Sequence, residues 1–335
     1  GETGERPPVW FMRQAGRYME EYRALRKKPP LLEMCKTPEL ATEVTLQPIK
    51  ALGVDAAILF ADILLILEPL GAPFEFAAGE GPVIHDPVRD KAAVDKLRLF
   101  APEEGLGYVL DAVRMIRKEL DGKTPLIGFA GAPFTLASYL IEGGGSKSKD
   151  YAITKRMMYR EPETWHALMQ KLAEMTRRYL LAQIEAGAQA VQLFDSWIGA
   201  LSPDDYVTFI QPHVKHILSD VEKTGVPVIH FGTGTAMLLE LQKQAGGTVI
   251  GVDAKTPLDW ARKLLGDDVA VQGNLDNLLL DAPRELLAAR VKDVLHRGGH
   301  RGHIFNLGHG ILPETNPDAV KFVTDLVHDQ TIARL

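Results

Sequence analysis

The sequence predicts the α/β class: a single (β/α)8 (TIM) barrel over residues 1–335, with an inserted hairpin or loop after the second strand. Three observations carry this. Short β-rich runs that stop at glycine or polar residues alternate with stretches of helical spacing. A polar residue followed by proline recurs between them, placing proline where the first helical turn needs no amide donor. Runs such as AVQLF are apolar without alternation, as parallel strands covered by helices on both faces must be.

In chain order the β-rich runs are residues 8–12, 56–60, 126–129, 190–194, 228–231, 249–252, 269–272 and 303–306. Thr37-Pro38, Glu161-Pro162, Ser202-Pro203, Thr256-Pro257 and Asn316-Pro317 open helices between them. From Glu161 to Gly187 the apolar stripe is Trp165, Leu168, Met169, Leu172, Met175, Tyr179 and Ile184, with Gly187 as the stop. Residues 71–88, rich in Gly and Pro around a short β-like run at 74–76, form the expected insertion. GGGSKSKD, residues 143–150, reads as a mobile active-site loop and not as a linker, because the strand–helix pattern resumes on both sides.

Composition narrows the function. With 46% hydrophobic and 24% charged residues the chain is neither disordered, collagen-like nor a coiled coil. A net charge of −6 gives no global field for nucleic acid or an anionic membrane surface, so an anionic ligand needs a local basic cluster. Cys35 is the only cysteine, which excludes an intrachain disulfide and any zinc site with two thiolates, and fits a reducing, cytoplasmic compartment. The most apolar stretch, residues 56–67, is cut by Asp62 and falls short of the ~18 residues of a membrane helix. The opening GETGER has no apolar signal-peptide core.

Catalytic groups of such barrels project beyond the C-terminal ends of the strands. Applied here, that rule gathers Arg13 and Arg17, Asp62, Gly131-Ala132-Pro133 leading to Tyr139, Asp195 and Ser196, Gly232, Asp253, Gly273-Asn274, and Gly308-His309 on one rim. Arg13 and Arg17 flank Gly16 after an apolar run and suit a bidentate grip on carboxylates, whereas Arg23, Arg26, Lys27 and Lys28 also read as a solvated helix face. Asp62, inside LFADILLIL, is either a strand-end cap or a carboxylate kept for a donor that arrives with a ligand. His309 lies between two glycines, exposed at the mouth, where it can donate to an anion. The tract HRGGHRGH lies at the wrong end of a strand for a metal site, and no phosphate-binding glycine motif is present.

PVWFMRQAGRY, GFAGAPFTL with EGGGS, QLFDSW, QGNLD and NLGHG together resemble the uroporphyrinogen decarboxylase family, over residues 8–328. The resemblance implies cofactor-independent decarboxylation of the four acetates of uroporphyrinogen III to methyl groups, giving coproporphyrinogen III, by a cytoplasmic homodimer. It carries the substrate-contacting arginines to Arg13, Arg17 and Arg26, a main-chain contact to Gln14, Ala15 and Gly16, the essential aspartate to Asp62, and further contacts to Tyr139, Ser196 and His309. Two rivals remain: a corrinoid-linked methyltransferase, which needs a zinc-binding cysteine in the C-terminal half, and a non-catalytic tetrapyrrole carrier.

Overall fold

The computed structural model describes residues 6–77, 81–145, 150–299 and 301–329. A curled parallel sheet of seven strands forms its centre: β1 (Ala57–Ile58), β4 (Leu126–Gly131), β5 (Ala190–Asp195), β6 (Val228–Gly232), β7 (Val249–Gly251), β8 (Ala270–Gln272) and β9 (His303–Ile304), each bonded to the next in that order. Helices intervene between consecutive strands of this sheet. Every residue of β4 and β6 is buried, which is why their sequences run apolar without alternation. A separate antiparallel ribbon pairs β2 (Phe74–Ala77) with β3 (Gly81–Ile84).

Residues 8–12 differ from the expected strand: only Val9 bridges, in parallel to Phe305. The segment nevertheless runs between the two ends of the sheet. Phe305 N–H donates to Pro8 O at 2.8 Å on one side, and Asp55 N–H to Val9 O at 2.8 Å on the other. Asp55 fastens it further, accepting from both guanidinium nitrogens of Arg6 (2.6 and 2.8 Å), from Val9 N–H (2.8 Å) and from His328 Nε2 at the end of the helix Pro317–His328 (3.1 Å).

The proline signals place the helices Pro38–Leu52, Pro162–Ala186, Pro203–Phe209 and Pro317–His328. At Thr256-Pro257 the helix begins one residue late, at Leu258, because the Thr256 hydroxyl turns back to Asp253 Oδ1 (3.0 Å). The long helix Pro162–Ala186 ends at Gly187, whose φ of 124° suits glycine. Its Gln183 reads both the N–H and the C=O of Phe129 at 2.9 Å, and a side chain at Gly128 would meet that amide at 2.5 Å.

A buried polar relay links the strands under the mouth. Trp10 Nε1 donates to Gln272 Oε1 (3.0 Å), Gln272 Nε2 to Gln192 Oε1 (3.0 Å), and Gln192 Nε2 approaches Met12 Sδ at 3.7 Å. The relay ties β5 and β8 to residues 10–12, the entry to the basic arm.

Candidate active site

Beyond β1 the chain stays extended through Asp62, whose carboxylate caps the 3-10 turn Ile63–Ile66 by accepting Leu64 N–H at 2.9 Å. That is its single hydrogen-bond donor, and no cation pairs with it, among the described residues. The residue is half-buried, but its carboxyl is desolvated. Burial pushes its pKa up, against the Leu64 N–H and the positive charge of Arg13.

Arg13 is held in place by its neighbours' backbone. Met12 N–H donates to Asn306 Oδ1 (3.1 Å), and Met12 O accepts Ile311 N–H (2.9 Å), so the loop after β9 grips the residue before it. Arg13 itself adopts φ 61°, a left-handed conformation costing a non-glycine residue about 1 kcal/mol. A side chain at Gly310 would meet Arg13 Cδ at 2.6 Å, so the glycine after His309 is the bed on which the guanidinium stem lies. Arg13 and Arg17 are both exposed, and neither forms a salt bridge among the described residues, although the Arg13 charge reaches Asp62. Arg26 is half-buried, donates to Pro29 O at 2.7 Å and acts with Arg17 on the phenol of Tyr22.

Gln14 is scaffold. Its Oε1 accepts Phe11 N–H (3.0 Å), its Nε2 donates to Ala56 O (3.0 Å), and its carbonyl accepts the Tyr18 hydroxyl (2.6 Å), all fully buried. The main-chain contact expected over Gln14, Ala15 and Gly16 is therefore left to the half-buried Ala15 and Gly16.

Tyr139, on the helix Pro133–Glu142, joins this group. Its pKa is pushed up to about 12, first by burial and then by the Asp62 charge, with Arg13 opposing. Its ring lies 4.1 Å from that of Trp197, which also stacks on Tyr151 at 5.0 Å. Ser196, half-buried before Trp197, is fixed through its carbonyl, which accepts the Thr233 hydroxyl at 2.5 Å. A side chain at Gly199 would meet Thr233 O at 2.3 Å, so the loops after β5 and β6 touch backbone to backbone.

Asp253, after β7, completes the rim as scaffold: it accepts Gly234 N–H, Lys255 N–H and the Thr256 hydroxyl, tying neighbouring loops together. His309 is exposed. Of the histidine tract, His303 is buried with Nε2 against Gly273 O (2.8 Å), His296 is exposed, and His300 lies outside the described residues. Among the described residues no three His, Cys, Asp or Glu side chains are gathered as metal ligands would be. Residues 146–149 of the expected active-site loop also lie outside them.

Arg13, Asp62 and Tyr139 thus act on one another directly. His309 precedes the Gly310 on which Arg13 lies, and Ser196 precedes the Trp197 that packs on Tyr139. Arg26, which acts with Arg17 on Tyr22, also acts with Asp62 on the buried Cys35. Sequence reading brings Trp197 within QLFDSW, and Asn306 and Gly310 within NLGHG, to the rim, but not their work of seating Tyr139, Met12 and Arg13, which is done across the fold.

A family model described as uroporphyrinogen decarboxylase (URO-D) matches residues 1–330. A uroporphyrinogen decarboxylase of Sorangium cellulosum (strain So ce56) is 71% identical over 322 residues, 96% of this chain and 91% of the relative. One from Carboxydothermus hydrogenoformans is 58% identical over 323 residues, 96% and 92% of the two chains. Among solved structures, a methyltransferase from Methanosarcina mazei is similar at a TM-score of 0.83 and 21% identity, covering 98% of this chain and 95% of its own. At that identity the likeness speaks for the fold alone.

Proposed function

Since the chain belongs to the uroporphyrinogen decarboxylase family, we propose that its mouth binds uroporphyrinogen III and that Asp62 carries the decarboxylation. The family reaction converts the four acetate side chains to methyl groups with loss of carbon dioxide, giving coproporphyrinogen III in porphyrin and haem biosynthesis. Breaking each C–C bond leaves an electron pair that needs a sink. A pyrrole protonated at ring carbon is a cation that accepts those electrons itself, so the reaction asks for no cofactor.

An anion beside the pyrrole nitrogens stabilises that cation more than the neutral ground state, which is the differential binding catalysis requires. At ~4 Å and an effective dielectric of ~20 the attraction is about 4 kcal/mol, roughly a thousandfold in rate if fully realised. The macrocycle's N–H groups are also the donors that a desolvated carboxylate with one backbone partner lacks. Arg13, Arg17, Arg26, Tyr139, Ser196 and His309 hold the peripheral carboxylates, with Ala15 and Gly16 offering main-chain contacts. Arginine is a poor acid and Asp62 must stay an anion, so the ring-carbon proton comes from an arginine-bound water, His309 or a substrate carboxyl.

The single observation that carries this reading is a desolvated Asp62 left without an ion-pair partner beside the unpaired guanidinium of Arg13, among the described residues. The methyltransferase rival requires a cysteine ligand in the C-terminal half, and Cys35 is the only cysteine. We also read residues 1–335 as one domain, residues 8–10 as closing the sheet into an eight-position barrel, and the β2–β3 ribbon as the insertion. The working form is read as a cytoplasmic homodimer that engages neither nucleic acid nor membrane. No helix among the described residues is long and apolar enough to cross one.

The test is an anaerobic assay with reduced substrate, following carbon dioxide release and the successive loss of carboxyl groups. Asp62→Asn is expected to fold and lose most turnover. Turnover within about threefold of wild type refutes the electrostatic role.

A further inference from the structure

One residue before Ser196 and two before Trp197, at the end of β5, Asp195 is completely buried. Its Oδ1 accepts the Thr135 hydroxyl at 3.1 Å, while Oδ2, shut off from solvent, has no partner. No cationic side chain pairs with it among the described residues. From the helix Pro203–Phe209 it is faced by Tyr206, whose hydroxyl is also buried, also without a partner, and feels the Asp195 charge. An ionised carboxylate held by one neutral hydroxyl is an expensive core residue, which makes its purpose worth locating.

Thr135 supplies the answer. It lies one helical turn before Tyr139 on the helix Pro133–Glu142, and its oxygen also accepts Trp197 N–H at 3.4 Å. The Asp195 carboxyl therefore ties the chain that carries Ser196 and Trp197 to the helix that carries Tyr139. The two rings it aligns are 4.1 Å apart, and Tyr139 is the phenol on which Asp62 and Arg13 both act.

We propose that Asp195 is a positioning residue for the decarboxylation: as a neutral carboxyl held through Thr135, it locks Trp197 against Tyr139 and so fixes the phenol beside Asp62. The inference rests on the family reaction assigned above. Burial, opposed by Thr135, pushes the Asp195 pKa up to about 7, so the carboxyl keeps its proton below neutrality and loses it above. Thr135 and Trp197 carry no charge, and Tyr206 is pushed well above its ordinary value, so among these groups only Asp195 changes charge near neutral pH. Once ionised, it keeps the Thr135 hydroxyl but leaves a full charge on the bare Oδ2, and the strand end shifts toward the unpartnered Tyr206 hydroxyl to satisfy it, away from the geometry that seats Trp197.

The experiment measures kcat and KM for uroporphyrinogen anaerobically from pH 5.5 to 8.5. At pH 6.5, Asp195→Ala and Thr135→Val are each expected to lower kcat/KM about tenfold, mostly through KM. Asp195→Asn, which still accepts from Thr135 and cannot ionise, is expected to recover most of that loss and to hold kcat/KM level above pH 7, where wild type declines. If Asp195→Ala does not fold, the other two variants carry the test. An Asp195→Asn profile that falls like wild type, or a Thr135→Val enzyme with wild-type kcat and KM, overturns the inference while leaving the family reaction standing. A wild-type chain that releases no carbon dioxide overturns both.

Discussion

Asp62 beyond β1 and Asp195 at the end of β5 are pushed toward neutrality by the same cause, burial, but burial leaves them different surroundings. Asp62 keeps part of its surface accessible, takes one backbone donor and lies in the field of Arg13, whose guanidinium forms no salt bridge among the described residues. Asp195 is sealed, with a threonine hydroxyl on one oxygen and nothing on the other. A desolvated carboxyl on a residue that still reaches the surface, in the field of one arginine, is placed to take its missing donors from a ligand. One closed over on all sides acts only on the protein around it.

The comparison breaks most sharply at the two amides. Asp62→Asn is expected to cost about a thousandfold in turnover, whereas Asp195→Asn costs threefold or less at pH 6.5; equal losses in the two steady-state assays would erase the distinction. The open carboxyl also needs its cationic surroundings. Arg17→Ala is expected to weaken binding of the octa-carboxylate substrate about tenfold to a hundredfold, and of the product less, as read by competitive inhibition. Equal weakening of both ligands would count against an arginine grip on the acetates. A smaller effect probes the bed of Arg13: Gly310→Ala places a methyl group 2.6 Å from Arg13 Cδ, so KM should rise severalfold as the side chain swings aside, with little change in Tm.

Stability against pH separates the two acids again. A carboxyl whose folded pKa is raised binds more protons in the native state than in the unfolded one, so stability falls as pH rises from the unfolded to the folded value. For Asp195 that window runs from about 4 to about 7, with a slope of at most about 1.4 kcal/mol per pH unit. Asp195→Asn should flatten chemical denaturation midpoints across it. Asp62→Asn should do so less, because the Leu64 N–H and Arg13 offset part of its burial. Glu174, held down to about 2 by Arg177, Arg178 and His216 against burial, acts in the opposite sense and only in strong acid.

Much of this was legible in the sequence because it depends on neighbours along the chain. Apolar runs that end in polar residues located all seven sheet strands, and proline pairs located the helix starts to within a residue. The rim rule puts Asp62, Ser196 and His309 beyond strand ends, as found, while Arg13 follows a segment with a single bridge and Tyr139 lies on the helix after β4. What stayed hidden depends on residues distant in sequence. Nothing near Gly310 says that an arginine 297 positions away lies on it, and nothing near Thr135 says that it meets Asp195. Residues 8–12 read as a strand by composition, yet they form only one bridge, because Gln14 folds its amide back onto Phe11 and Ala56 and turns the chain early. The glutamine of MRQAGRY looked like part of the site for the same reason: its burial is decided by the partner strand, which the motif does not contain.

Asp55 binds Arg6, Val9 N–H and His328 at once, and these partners hold its carboxyl below the ordinary range although burial pushes the other way. Tension applied to residue 6 and to the helix Pro317–His328 therefore converges on one pair of oxygens. Neither strap can slip without slackening the other, so the seam where the first and last described segments meet behaves as a single latch. Acid that protonates the latch releases both straps together.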